Sequence, residues 1–184
     1  MKKSFCILFV FLFTSFALVQ SQPILSNESP STFEEQEDVV MEHYAESGTV
    51  SLTFPNGNLY AVSSWRNNQR QGESVFYYAN GQIRYIGTYD NGVLDGDRYF
   101  YFENGFMQEH SKWKRGVREG YRIRYHENGQ IYAMDNYING NVNGTSYFFY
   151  DDGKLNEVIN YSDGFIVDII SYDRDGNILL EEQL

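Results

Sequence analysis

Along most of the chain, short runs of alternating apolar and polar residues end at a glycine. The stretch Tyr77–Phe100, YYANGQIRYIGTYDNGVLDGDRYF, contains Asn-Gly twice, eleven residues apart, between aromatic and β-branched residues. Alternation over four to eight residues is typical of a half-buried β-strand, and Asn-Gly is a strong hairpin signal. The pattern therefore predicts antiparallel strands joined by tight turns.

The hairpins recur at a fixed period, which is counted from one glycine in each, called here the turn glycine. Successive turn glycines are 24, 24, 24, 24 and 23 residues apart. A period of this length predicts a repeat architecture, in which each unit packs only against its neighbours. The turn glycines are Gly57, Gly81, Gly105, Gly129, Gly153 and Gly176.

Asn or Asp precedes every turn glycine, and such a pair takes positive φ at both central positions of a type I′ turn. We therefore expect a two-residue hairpin at each turn glycine. In that geometry the residues two and eight positions after the glycine share a face with those three and five before it. We expect this face to be the core; in the second unit it contains Phe76, Tyr78, Ile83 and Tyr89.

These features predict an all-β fold, an elongated single-layer antiparallel β-meander of stacked hairpins with about eleven or twelve strands. The repeat domain is expected over residues 49–180, as about six hairpin units. A short C-terminal tail would follow at residues 181–184.

The N-terminal residues do not follow the repeat. Lys2 and Lys3 precede an uncharged apolar run, Phe5–Val19, which predicts a secretory signal peptide over residues 1–21. A membrane anchor is the alternative, but a run of fifteen residues is shorter than the roughly 20 that span hydrocarbon. We expect cleavage near Ser21 and export to the periplasm or the extracellular medium, with no integral membrane segment in the mature chain.

Residues 22–48 hold two of the three prolines and an acidic run, so they are predicted to form a flexible leader. The whole chain has a formal net charge of -11, and loss of two lysines with the signal peptide changes this to 12 - 25 = -13. Nucleic-acid binders carry a basic surface, so a nucleic acid is not expected as a partner.

Few residues of this chain suit catalysis or metal binding. The single cysteine, Cys6, lies in the predicted signal peptide, so the mature chain has no thiol. His43, His110 and His126 lie far apart in the sequence, and the chain has no HExxH, GxSxG or Walker motif and no GxGxxG followed by a helix. We therefore predict a protein that is not an enzyme and uses no metal or cofactor.

The repeated unit places an aromatic residue two positions before Asn-Gly, a second aromatic eight residues after the glycine, and then Gly-x-x-x-Gly. This unit resembles the bacterial variant of the MORN repeat, and YYANGQIRYIGTYDNGVLDG is its closest copy. The resemblance covers about residues 49–180. It implies a twisted or curved single-layer sheet with a role in binding or scaffolding. Many bacterial proteins of this pattern are labelled antitoxin-like, of the YwqK type, and the resemblance therefore implies neutralisation of a toxin as one role.

One candidate binding surface is a ladder of aromatic residues, four positions before each turn glycine, on the face opposite the predicted core. It is interpreted either as cross-strand packing or as a platform for a protein partner or a sugar chain, because tyrosine combines apolar area with a hydroxyl. The ladder comprises Tyr77, Tyr101, Tyr125, Phe149 and Tyr172, and the first four are the predicted binding residues.

A second candidate is a group of six basic residues in this acidic chain. We interpret it as a solvated patch balanced by neighbouring glutamates; contact with an acidic partner or lipid headgroups is the alternative. The residues are Lys112, Lys114, Arg115, Arg118, Arg122 and Arg124.

Together these observations predict an exported, non-enzymatic β-repeat protein that binds a protein partner through its sheet surface. A carbohydrate-binding or cell-wall-binding module is one alternative, and an antitoxin-like neutraliser of a toxin is another.

Overall fold

The computed structural model describes residues 46–184 as one open antiparallel β-sheet, in which neighbouring strands follow one another in sequence. The predicted all-β fold of stacked hairpins is confirmed, and the described residues contain no helix. The strands are β1 Ser47–Thr53, β2 Leu59–Arg66, β3 Gln69–Tyr77, β4 Ile83–Asp90, β5 Val93–Tyr101, β6 Met107–Lys114, β7 Val117–Tyr125, β8 Ile131–Ile138, β9 Asn141–Val142, β10 Gly144–Phe149, β11 Leu155–Ser162, β12 Phe165–Tyr172 and β13 Ile178–Gln183.

The predicted repeat domain, residues 49–180, is too short at both ends. β1 begins two residues before position 49, and β13 includes most of the predicted tail, because the terminal strands pair with β2 and β12. The predicted signal peptide, and the leader up to residue 45, lie outside the described residues.

Type I′ turns are present, but not where the sequence analysis placed them. They join β2–β3, β4–β5, β6–β7, β8–β9 and β11–β12, and in each of them two successive residues have positive φ. We call these connections the short turns. Asn91 and Gly92, for example, have φ of 48° and 82°, and Asp90 pairs directly with Val93. The twist of these turns matches that of the strands they join.

At the turn glycines only the glycine has positive φ, so the predicted type I′ turn is wrong there. Gly81 donates a hydrogen bond of 2.9 Å to the Tyr78 carbonyl, and the Tyr78 N–H donates one of 2.8 Å to the Gln82 carbonyl. This is a three-residue loop, a type I turn followed by a glycine in the left-handed conformation. We call these connections the long turns.

A β-bulge follows each long turn and changes which residues share a face. Phe76 pairs with Tyr85 while Tyr77 pairs with Ile83, so Arg84 is the extra residue. One added residue moves the following side chains to the other face. Ile83 therefore lies opposite the ladder residue Tyr77, and its predicted place in the core is wrong. The same shift occurs in the other hairpins with long turns.

The core lies on the other face of the sheet, which we call the arginine face after Arg70, Arg98, Arg118, Arg122 and Arg124. Here the prediction of Phe76 and Tyr89 as core residues is confirmed, since both are buried. Small residues occupy the strand centres beneath the long side chains, and Gly87 shows why. A Cβ at this position would lie 2.2 Å from the Tyr85 hydroxyl, so only glycine leaves room for the buried phenol.

Asparagine side chains connect each long turn to the next, along the strand ends at which the long turns lie. The Asn104 Oδ1 accepts a hydrogen bond of 3.0 Å from the Phe106 N–H, and its Nδ2 donates one of 3.1 Å to the Glu127 carbonyl of the next long turn. Asn56, Asn80 and Asn128 make the same two contacts. The asparagine amide makes both bonds because it carries an acceptor oxygen and a donor nitrogen, whereas an aspartate carboxylate only accepts.

We predict that Asn104→Asp lowers stability, because the carboxylate cannot donate to the Glu127 carbonyl. Loss of one neutral hydrogen bond costs about 1 kcal/mol, which corresponds to a melting temperature lower by about 2–4 °C. Asn136→Asp is the control with the same charge change, since Asn136 is an exposed residue of β8. Thermal unfolding followed by circular dichroism checks this; equal melting temperatures for the two variants would contradict it.

Candidate functional site

The arginine face is held together by guanidinium groups that stack on aromatic rings and pair with buried carboxylates. Arg98 lies 4.5 Å from the centroid of the Trp113 ring and 4.8 Å from that of Phe100. Its Nη2 donates a hydrogen bond of 2.6 Å to the Glu109 Oε1, and the Arg98 side chain is only 7% exposed. A desolvated cation over a ring gains more than an exposed one does.

The same arrangement continues in the next unit. Arg118 lies between Trp113 and Tyr137, at 5.0 and 4.7 Å from the two ring centroids. Arg122 contacts Asp135 at 2.7 Å, and its guanidinium lies over the Tyr137 ring at 5.1 Å. Each arginine thus bridges rings or charges from neighbouring strands.

The interpretation of the six basic residues as one solvated patch is therefore wrong. Arg118 is buried, and Arg122 and Arg124 are half-buried on the arginine face, where both contact Asp135. Lys112 lies on the opposite face, paired with Asp97 across β5 and β6, and its ammonium lies over the Tyr121 ring. Lys114 and Arg115 lie at a short turn. Strand alternation separates residues that are close in sequence.

Electrostatics on the arginine face shift several pKa values. Burial raises the pKa of Glu109, but the charge and hydrogen bond of Arg98 outweigh it, so this pKa lies below its usual range. Burial lowers the pKa of Arg118. Burial also raises the pKa of Tyr85, whose hydroxyl lies 2.8 Å from that of Tyr89. The pairing with Arg98 thus compensates for the burial of the Glu109 carboxylate, which gives this face a structural role.

The other face, which we call the tyrosine face after Tyr77, Tyr99, Tyr101 and Tyr125, presents a continuous row of side chains. Directly paired residues on ten strands form this row, and all are half-buried except Tyr147, which is exposed. In order across the sheet they are Val62, Val75, Ile86, Tyr99, His110, Ile123, Met134, Tyr147, Val158 and Ile170. We call them the central row.

The predicted ladder lies beside the central row on the same face. Each predicted binding residue is half-buried and pairs with the aliphatic or methionine residue that the bulge has moved to this face. The pairs are Tyr77 with Ile83, Tyr101 with Met107, Tyr125 with Ile131, and Phe149 with Leu155. The structure thus brings the four residues to one face, and their role in binding stays a prediction.

A polar cluster within the central row was missed by the sequence analysis. His110 Nε2 lies 2.8 Å from the Asp97 Oδ1 and 3.3 Å from the Tyr121 hydroxyl, and the His110 ring stacks on Tyr99 with centroids 4.4 Å apart. The 24-residue period contained a signal for this cluster, because it sets the register in which Tyr99 pairs with His110 across β5 and β6. This cluster supplies directional hydrogen-bonding groups in an otherwise apolar row.

Within residues 46–184 no helix is long and apolar enough to cross a membrane. In the same residues, no three His, Cys, Asp or Glu side chains form a group that could hold a metal ion.

The fold defines a scaffold of β-hairpin repeats with two chemically different faces. Residues 70–91, 118–139 and 142–163 match the family model described as the MORN repeat variant, which confirms the predicted repeat type in these three segments. Each segment contains one long turn with the two strands that it joins, complete or short by one residue. The hairpin β5–β6 has the same turn and bulge, although it lies outside the matched segments. No curated protein matches the chain significantly.

We predict that Arg98→Met destabilises the sheet by about 3–5 kcal/mol, because it leaves the Glu109 carboxylate buried without its cation. The double variant Arg98→Met with Glu109→Leu is the control, since removal of both charges avoids that penalty. Urea unfolding measures both. A double variant less stable than the single one would contradict the assignment.

A second prediction concerns pH. Because the pKa of Glu109 is lower in the folded chain than its usual value of 4.5, the pair stabilises the fold above that pH and loses this contribution as pH falls. We expect the free energy of unfolding to fall more between pH 5 and pH 3 in the native chain than in Glu109→Gln. Parallel pH dependences, measured by urea unfolding, would show that Glu109 contributes nothing.

Proposed function

We propose that the protein is an exported, non-enzymatic scaffold that binds a protein partner through the tyrosine face. The central row carries this proposal, because ten directly paired side chains leave a continuous, partly exposed and mainly apolar surface. On the arginine face, by contrast, guanidinium groups, rings and carboxylates contact one another.

The dimensions of the tyrosine face suit a protein. Ten strands spaced by about 4.8 Å make the central row on the order of 45 Å long. A standard interface buries about 800 Å² on each partner, and large exposed apolar patches mark interaction sites in soluble proteins. The ladder residues widen the row with tyrosine, which is enriched among the residues that dominate binding energy.

Export as a part of this proposal rests on the two lysines and the apolar run at the N-terminus. The absence of catalysis rests on the repeat, which extends a surface by adding identical units. The role of an antitoxin-like neutraliser rests on family resemblance alone, and fold resemblance does not determine function.

A cell-wall or other polysaccharide is the second candidate ligand. It is favoured by the cluster of His110, Asp97 and Tyr121, whose polar groups lie beside the Tyr99 ring. Sugars require many hydrogen-bonding groups, whereas the neighbouring central-row positions, Ile86 and Ile123, are aliphatic. The protein partner is therefore the better match for the face as a whole.

We predict that Tyr101→Ala with Tyr125→Ala weakens partner binding at least about tenfold, because two aromatic contacts each supply about 1 kcal/mol or more in a typical interface. The partner is first identified by crosslinking in the cell envelope and then purified. Titration calorimetry gives the affinity, and circular dichroism confirms that the double variant keeps its β spectrum.

The matched control is Tyr60→Ala with Tyr132→Ala, two tyrosines whose rings contact Phe76 and Phe148 on the arginine face. This control is expected to retain the affinity. Unchanged affinity in the tyrosine-face variant, or an equal loss in the control, would contradict the proposal. Sedimentation with purified wall polymer forms the second arm, and retention there without a protein partner would favour the polysaccharide.

A further inference from the structure

We propose that copies of this chain assemble head to tail, with β13 of one copy pairing antiparallel with β1 of the next. The two strands end the sheet, so each pairs on one side only among the residues that the structure describes. The partner would be a second copy of the chain, and the contact would continue the same sheet. The inference is independent of the proposed function, because the tested ladder residues lie in β5 and β7.

β1 has the features of an internal repeat strand. Gly48 has φ of 123°, as Gly96 in β5 has 130°. The Glu46 carbonyl accepts the Asn68 N–H at 3.0 Å, just as the Arg70 carbonyl accepts the Gly92 N–H at 2.9 Å. Proteins usually protect an edge strand with charged residues or proline, and β1 contains neither, whereas β13 carries Glu181 and Glu182.

β13 belongs to the class of strands that follow a long turn. Tyr172 pairs with Ile178 and Ser171 with Leu180, so the bulge after the turn is present. The other strands that follow a long turn are β2, β4, β6, β8 and β11. Each of them also pairs with a strand that leads to the next long turn. β13 has no such partner in the described chain, and β1 is a strand of the missing class.

The C-terminal end of the sheet also exposes much apolar surface. Phe165 is 70% exposed, Leu179 66% and Leu184 68%. The exposed apolar side chains of β12 and β13 are suited to contact with another chain.

The repeat predicts the register of the proposed pairing. Within the chain, the fifth residue after a turn glycine pairs with the sixth residue before the next one, as Ile86 pairs with Tyr99 and His110 with Ile123. This rule places Glu181 opposite Ser51 of the next copy. The adjacent positions, which pair as Tyr85 with Phe100 inside the chain, place Leu180 opposite Leu52.

Backbone directions agree with this register. The Leu184 N–H donates to the Val167 carbonyl in β12, so alternation along the strand points the Glu181 N–H away from β12. The Phe54 N–H donates to the Asn58 carbonyl, so the Ser51 N–H points away from β2. Glu181 and Ser51 would therefore exchange two backbone hydrogen bonds. A two-fold pairing of β13 with itself, centred on Glu181, would oppose two carboxylates.

Proline substitutions test the assembly, because proline removes one outward donor and is tolerated on an edge strand whose N–H faces solvent. Ser51→Pro blocks β1 and leaves β13 free, whereas Glu181→Pro blocks β13 and leaves β1 free. We expect sedimentation velocity to show the naturally processed protein forming dimers and larger species as its concentration rises. Each variant alone should remain a monomer, and an equimolar mixture should form a one-to-one dimer and nothing larger.

A charge series, which keeps every backbone donor, guards against a proline variant that fails to fold. Ser51→Glu faces Glu181 with a like charge and should raise the dissociation constant about two- to fivefold, whereas Ser51→Lys should not raise it. A native protein that stays monomeric at its highest soluble concentration overturns the proposal. Dimers of Ser51→Pro alone would likewise overturn it, because they would show two-fold pairing through β13.

Discussion

The structure depends on one constraint. A single-layer sheet has no second layer to cover its core face, so the side chains of that face must bury one another. Among residues 46–184 no helix or second sheet covers the strands. Arginine solves the problem because its long, planar side chain lies over aromatic rings while its charge pairs with a carboxylate. Arg98 does both, since its guanidinium lies over the Trp113 ring and pairs with Glu109. Arg122, one period of 24 residues further on, repeats this packing with Asp135 and the Tyr137 ring.

The two faces differ because only the arginine face forms the core. Because burial is concentrated on the arginine face, the tyrosine face stays half-exposed without loss of the fold. Asparagine bonds between long turns, such as that from Asn104 to the Glu127 carbonyl, hold successive hairpins in register at one edge. A sheet whose register is held in this way presents the central row and the ladder as one surface.

Hydrophobic alternation and the glycine period were sufficient to predict the strands, their order and the aromatic ladder. They failed where one residue changed the geometry. Type I′ turns were expected at Gly81 and its equivalents, but a single left-handed glycine there is compatible with a three-residue loop. The resulting bulge moves Ile83 to the tyrosine face. Alternation also divides Lys112 from Arg118, which a count of neighbouring charges does not reveal.

By itself, the sequence determined the all-β repeat, because turn glycines and alternating strands are local features whose geometry depends on a few adjacent residues. Tertiary structure alone decided how the long side chains combine. His110 contacts Asp97 and Tyr121 from two different strands, and Arg118 stacks between rings of β6 and β8. Such contacts depend on register across the sheet, and a bulge of one residue sets that register. The physical reason is that side-chain packing is non-local, whereas turn formation is local.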